Sequence, residues 1–188
     1  LKDHEPPAFT LERADSESAL FLTCDHASAR IPEALGDLGV CAAERVRHIA
    51  WDIGALAVAR LLSARFNATL IHSGYSRLVI DCNRHCGRAD LVPEISEYTE
   101  VPGNRGLCDE ARRLRIEALW QPYHAAIAST LAARAARGLP TLYVSIHSFT
   151  PVYKGEARPW QIAMLSNRDR RVAEVLLREL GREPGLCV

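Results

Sequence analysis

At 188 residues, with 48% apolar and 24% charged side chains, the chain can build a full hydrophobic core and falls outside the disordered and low-complexity classes. Its 23 Lys and Arg balance 23 Asp and Glu, which leaves no net field to hold it on phosphate backbones or anionic lipid, so nucleic acid is not an expected partner. No apolar run approaches the ~20 residues of a membrane helix, and no basic-then-apolar signal pattern opens the chain, so no membrane association and a cytoplasmic location are expected.

The length predicts an irregular polar lead-in over residues 1–18, containing Pro6-Pro7, followed by a single α/β domain over residues 19–188. Ala19 to Cys24 is a short, mostly apolar run that ends in polar Asp25-His26. That is the pattern of a buried strand handing over side chains at its C-terminal end, where open α/β sheets bind ligands. From Asp52 to Phe66 the apolar residues recur at helical spacing, with Asp52 at the position of an N-cap or first-turn acid. Ala68 to His72 and Leu78 to Asp81 read as two strands around the turn Ser73-Gly74, with Tyr75-Ser76-Arg77 entering the second.

Arg88 to Gly106 lacks periodicity and reads as a long loop of the kind that can close over a site as a lid. Asp109 to Arg137 is helical in pattern, with Pro122 predicted to kink or split it and Gly138 to end it. Thr141 to Ile146 is a second strand pattern that again delivers a histidine, in His147-Ser148-Phe149-Thr150. Trp160 to Leu165 reads as a further strand and Asp169 to Leu180 as a further helix, so the whole predicts a mainly parallel sheet flanked by helices. Gly185-Leu186-Cys187 reads as the start of another apolar element, so further C-terminal residues are expected.

Six cysteines spread irregularly through a chain of this size predict reduced thiols, and Cys24 in its apolar run reads as a small buried hydrophobe. Cys82, His85 and Cys86 find no second close Cys/His pair to complete a four-ligand zinc site. The chemistry concentrates elsewhere. His26 after one strand, Asp52 at a helix start and His147 after another strand offer the three N/O ligands of a catalytic zinc site whose fourth position stays open to water. On spacing alone, histidines packed in the core or lying on the surface remain the commoner outcome among the seven present, and His72 and His124 are read that way. Arg77 and Arg84 can clamp a carboxylate through paired N–H donors, while Arg77 paired with Asp81 in a buried network is the competing reading. No G-x-S-x-G elbow, phosphate-binding loop or dinucleotide fingerprint is present.

Several ordered segments then carry a family resemblance: Cys24-Asp25-His26-Ala27 with Ile31-Pro32, His48 through Ala55, Tyr75 through Arg84, Val101-Pro102-Gly103-Asn104, Pro122-Tyr123-His124 and Ser145 through Pro151. Together they resemble the N-formylglutamate amidohydrolase family. The resemblance implies a phosphorylase/hydrolase-like α/β fold related to zinc carboxypeptidases and cell-wall amidases. It also implies hydrolysis of N-formyl-L-glutamate, a small carboxylate-bearing substrate, to L-glutamate and formate in histidine breakdown. Carried over, the zinc or other divalent metal falls to His26, Asp52 and His147, with Asp25 the rival for the carboxylate. Arg77, Asn83, Arg84 and Ser148 form the substrate-binding set. The Asn-x-Pro-Tyr and Glu-x-Arg segments of the family pattern do not occur before Val188, so the general-base acid is expected beyond that residue. A zinc peptidoglycan or peptide amidase and a non-catalytic module that binds acidic metabolites are the alternatives. No feature of the sequence reports an oligomeric state.

Overall fold

The structure is a computed structural model that describes residues 1–188. Where one domain is expected over residues 19–188, the chain forms two compact units, Leu1–Phe149 and Thr150–Val188.

The first unit is built on a four-stranded sheet of β1 (Phe9–Glu12), β2 (Leu20–Cys24), β3 (Thr69–Ser73) and β6 (Leu142–Ser145), in the order β1-β3-β2-β6. β2 pairs in parallel with β3 and with β6, so the predicted parallel sheet is present, with β1 as an antiparallel edge. β2 is central and carries almost no polar side chain, as a strand covered on both faces must. Its side chains alternate between two helices. Leu22 and Cys24 pack with Ala55 and Ala59 of α2 (Ala55–Phe66), whereas Phe21 packs with Tyr123 and Ile127 of α4 (Gln121–Ala136). The small side chains Ala55, Ala59 and Ser63, one turn apart on α2, form its buried face and let it lie close to the sheet.

Four predicted features are corrected. The lead-in over residues 1–18 is not wholly irregular, because β1 pairs with β3 from Phe9↔Ser73 to Glu12↔Leu70. The approach is tight: a Cβ on Gly74 would lie 2.4 Å from the Pro7 carbonyl oxygen, so glycine is required there. Second, Leu78 to Asp81 is a buried turn and not a strand. Its backbone groups find side chains and a loop instead of a ladder. Ser76 Oγ accepts from Leu78 N–H, Asn104 Nδ2 donates to the Leu78 carbonyl at 2.8 Å, Arg115 Nη1 donates to the Val79 carbonyl at 3.0 Å, and Asp81 N–H reaches the Leu91 carbonyl at 2.8 Å. An apolar run buried this way looks like a strand in sequence.

Third, residues 88–106 are not a featureless loop but a structured segment anchored in the core by a few buried side chains. They hold short 3₁₀ turns at Ala89–Leu91 and Pro102–Asn104 and a small hairpin of β4 (Ile95–Ser96) and β5 (Thr99–Glu100). Leu91, Val92 and Val101 are buried with Val79, Ile80 and Leu119. Fourth, Pro122 neither splits nor breaks the long helix. α3 (Asp109–Arg115) continues through a π-helical turn, Ile116–Trp120, into α4, with Pro122 in the first turn of α4. The widened turn absorbs the missing N–H and the crowding of the proline ring. A short helix α1 (Ala42–Arg45) precedes α2, and Gly138 follows α4 at φ +69, as its position predicts.

The second unit contains a hairpin of β7 (Val152–Tyr153) and β8 (Glu156–Ala157) and the amphipathic helix α5 (Arg171–Leu180). α5 matches the predicted helix, with Asp169 Oδ1 accepting from the Arg171 N–H ahead of it. The strand predicted over Trp160 to Leu165 is irregular, because Leu165 packs on nothing and the backbone N–H groups of Gln161 and Ile162 meet the Cys187 carbonyl and no sheet. No helix is long and apolar enough to cross a membrane.

Candidate metal centre

Two parallel strands deliver the two histidines. His26 follows β2 by two residues and His147 follows β6 by two, and the register Thr23↔Ser145 brings both to the same end of the sheet. Asp52 arrives from the segment ahead of α2. Its amide donates to the His26 carbonyl at 2.9 Å and its carbonyl accepts from Ala55 N–H at 3.1 Å, so the backbone itself binds this acid to the first histidine. Gly54, at φ +81, caps the helix in place of Asp52, which corrects the N-cap expectation and leaves the Asp52 side chain to the site.

The donor atoms converge. Asp52 Oδ2 lies 2.7 Å from His147 Nδ1 and 3.4 Å from His26 Nδ1. One ligand atom from each of the three residues fits within a 4.8 Å limit, not far from the ~3.3 Å separation that metal bonds of ~2 Å impose at tetrahedral angles. The other ring nitrogens are backed by carboxylates. His26 Nε2 is 2.7 Å from Asp81 Oδ1, and His147 Nε2 is 3.0 Å from Asp25 Oδ2. Each imidazole therefore turns Nδ1 to the centre and Nε2 to an outer acid, the arrangement that fixes a ligating histidine.

Three buried carboxylates and the single guanidinium of Arg77 surround the imidazoles. With both rings neutral, the cluster carries a charge of about minus two, which a divalent cation would balance. In the metal-free protein, protons do so. Burial alone would lower the His147 pKa, but hydrogen bonds to Asp25 and Asp52 outweigh it and hold it up at about 9. His26 is likewise raised, burial being overcome by Asp52 and Asp81. Burial pushes Asp52 up, yet its bonds to His147 and His26 bring it well below the usual carboxylate range, and His26 does the same for Asp81. The set can hold a divalent metal.

The substrate-binding residues expected from sequence separate into two groups. Arg77 is at the centre, with Nη2 donating to Asp81 Oδ2 at 2.8 Å and Nη1 3.6 Å from Asp52 Oδ1, so its pairing with Asp81 is realised. Ser148 is half-buried beside His147. Asn83 enters through its backbone, whose N–H donates to Asp81 Oδ1 at 2.9 Å, while its side chain is exposed. Arg84 is engaged elsewhere, with Asp90 at 3.2 Å and the Asn83 carbonyl at 3.3 Å. Sequence reasoning placed Asp25 at the centre only as a rival metal ligand, not as the outer partner of His147, and missed Tyr123 and Ser145 altogether. Tyr123 donates to Asp25 Oδ1 at 2.6 Å, and its four-residue spacing from Leu119 and Ile127, which puts it on their helix face, is the signal the sequence offers.

The remaining candidates are packing residues. His124 Nε2 donates to the Cys82 carbonyl at 2.9 Å, and His72 is buried beside Glu12 and Arg60. Burial pushes the Cys24 thiol up to about 12, which makes it an inert core residue. A cavity of about 460 Å³ lined by Val92, Pro93, Glu94, Ile95, Leu107 and Arg112 shares no residue with the cluster.

The family model of the N-formylglutamate amidohydrolases matches residues 18–188. The chain belongs to this family. Membership brings an amidohydrolase-type function. Among solved structures, that of a gene product from Agrobacterium tumefaciens is 42% identical to this chain, with a TM-score of 0.95 over 98% of this chain and 73% of the other. The structure of N-formylglutamate amidohydrolase from Ralstonia eutropha JMP134 is 20% identical, with a TM-score of 0.64 over 97% of this chain and 75% of the other, and shares its α/β fold. None of the curated proteins compared with the chain matches it.

Proposed function

We propose that this chain is a metal-dependent amide hydrolase that converts N-formyl-L-glutamate and water to L-glutamate and formate, a step of histidine breakdown, or acts likewise on a related N-acyl amino acid. The observation that carries the reading is the convergence of His26, Asp52 and His147 within 4.8 Å, with an outer carboxylate on each imidazole. These three residues would hold the metal, zinc being the natural choice for an N/N/O set. Bound there, it would supply Lewis acidity, polarising the scissile carbonyl and making water a nucleophile near neutral pH.

The protein's own groups position the rest. Arg77 is paired with Asp81 and lies near Asp52, yet its side chain is a quarter exposed, so it would offer N–H donors to a substrate carboxylate or to the oxygen that gains charge. Ser148 and the Asn83 side chain lie within the same stretches of chain and would orient the amide. Arg84, once freed from Asp90, would add a second cation. Asp25, Asp52 and Asp81 are each occupied by imidazole or guanidinium, so proton transfer is assigned to none of them.

The test couples elemental analysis of the purified protein with formate release from a panel of N-acyl amino acids. One equivalent of metal and turnover fastest on N-formyl-L-glutamate are expected. Tight binding of the substrate without turnover would point instead to a binding module, and a preference for peptides would point to a peptide amidase.

A further inference from the structure

Asp25 has no part in the chemistry above, yet it is a densely engaged side chain. It precedes His26 in the turn that follows β2, and the two side chains reach different neighbours. Oδ1 accepts the Tyr123 hydroxyl at 2.6 Å, and Oδ2 accepts the Ser145 hydroxyl at 2.7 Å while lying 3.0 Å from His147 Nε2. Its own carbonyl accepts from Ser73 Oγ at 2.6 Å. The residue is thus fixed from α4, from β3 and from β6, and the next group in the chain of contacts is a histidine of the metal centre.

The geometry of the helix serves this contact. Arg115, Leu119, Tyr123 and Ile127 are all buried at four-residue intervals. An ideal α-helix turns ~100° per residue, so eight residues from Arg115 to Tyr123 would overshoot alignment by about 80°. The π-helical turn Ile116–Trp120 takes up part of that drift and keeps Tyr123 on the face that carries Arg115. His147 has the greater need of an anchor. Its side chain is 29% exposed and it follows an edge strand, whereas His26 is enclosed.

We propose that Asp25, seated by Tyr123 and Ser145, is a positioning residue for the metal centre: it accepts the Nε2 proton of His147, which leaves Nδ1 as the ligand atom and fixes the ring. This rests on the reading of His147 as a metal ligand. A carboxylate buried only to satisfy Tyr123 would not need the imidazole, and its loss would act on folding without regard to His147.

Zinc affinity, measured by competition with a chromophoric chelator, is compared for the wild-type chain, Asp25→Asn, Tyr123→Phe, His147→Ala and the double variant Asp25→Asn/His147→Ala. ¹⁵N NMR shifts of the zinc-loaded protein report which nitrogen of His147 carries the proton. Asp25→Asn is expected to bind zinc roughly 10–100-fold more weakly and to lose the pure Nε2–H signature, as removal of an outer partner does. Tyr123→Phe should move affinity the same way by a few-fold, and the double variant should be no weaker than His147→Ala. Wild-type affinity in Asp25→Asn, or the same fold-loss from Asp25→Asn with and without His147, would overturn the proposal. Should Asp25→Asn not fold, unchanged affinity in Tyr123→Phe would do so. A wild-type chain that takes up no zinc would bring down the metal reading itself, a result distinct from equal affinities.

Discussion

His26 and His147 meet the same oxygen of Asp52 from opposite settings. His26 follows the central strand, is 1% exposed and has its outer nitrogen on Asp81. Asp81 in turn belongs to a buried turn whose backbone is bonded by Asn104 and Arg115. His147 follows the edge strand β6, whose first two residues are exposed, and its outer nitrogen rests on Asp25. One histidine is part of the core and the other stands at its rim. The difference teaches that two imidazoles on one carboxylate oxygen are held differently, one enclosed by the core and the other partly open to solvent.

The largest expected effect tests this directly. His26→Ala leaves Asp52 and Asp81 buried with Arg77 as their shared cation, which should cost about 3–5 kcal/mol of stability in urea unfolding of the metal-free protein. His147→Ala removes an imidazole bonded to Asp25 and Asp52 at the more exposed rim and should cost less, about 1.5–3 kcal/mol. Equal losses would erase the contrast between core and rim.

The next effect concerns metal and turnover. His147→Ala should keep its far-UV circular dichroism while losing metal by more than the roughly 10–100-fold of an outer partner, and losing formate release with it. Full metal retention in that variant would remove His147 from the ligand set.

Arg77→Ala should retain metal but raise KM about 10–100-fold, the weight of a charge-assisted hydrogen bond of ~1.5–3 kcal/mol. An unchanged KM would make Arg77 a purely structural partner of Asp81 and Asp52.

The smallest effect is in pH. Metal takes neutral imidazole, and His147 in the metal-free protein holds its proton up to about 9, so apparent affinity should climb with pH and level off above that value. Because that folded pKa is raised, the stabilisation from protonated His147 is complete below its ordinary value near 6.5 and is lost as pH rises through about 9. The depressed pKa of Asp52 works oppositely, its contribution being present above the ordinary carboxylate value and lost in acid. Metal titrations and urea unfolding between pH 5 and 10 would show whether the rim histidine responds in this window.

Local pattern made much of the centre legible in advance. An apolar run ending in Asp25-His26, another ending before His147 and a helical period after Asp52 each report on a few adjacent residues, whose burial and period are written in their order. The ordered motifs extended this to a family. Other features depend on partners far along the chain. β1 became a strand because β3 offers it an edge, and Leu78 to Asp81 became a turn because Asn104 and Arg115 satisfy its carbonyls. The outer shell is of the same kind. Asp25 bonds to Tyr123, 98 residues away, and to Ser145, 120 residues away. The sequence by itself determined which strands deliver histidines and which acid lies just ahead of the helix beside them. Only the tertiary structure decided which carboxylate faces which imidazole, because a hydrogen bond is set by distance and direction in space, and neither is encoded in the spacing of two residues brought together by the sheet.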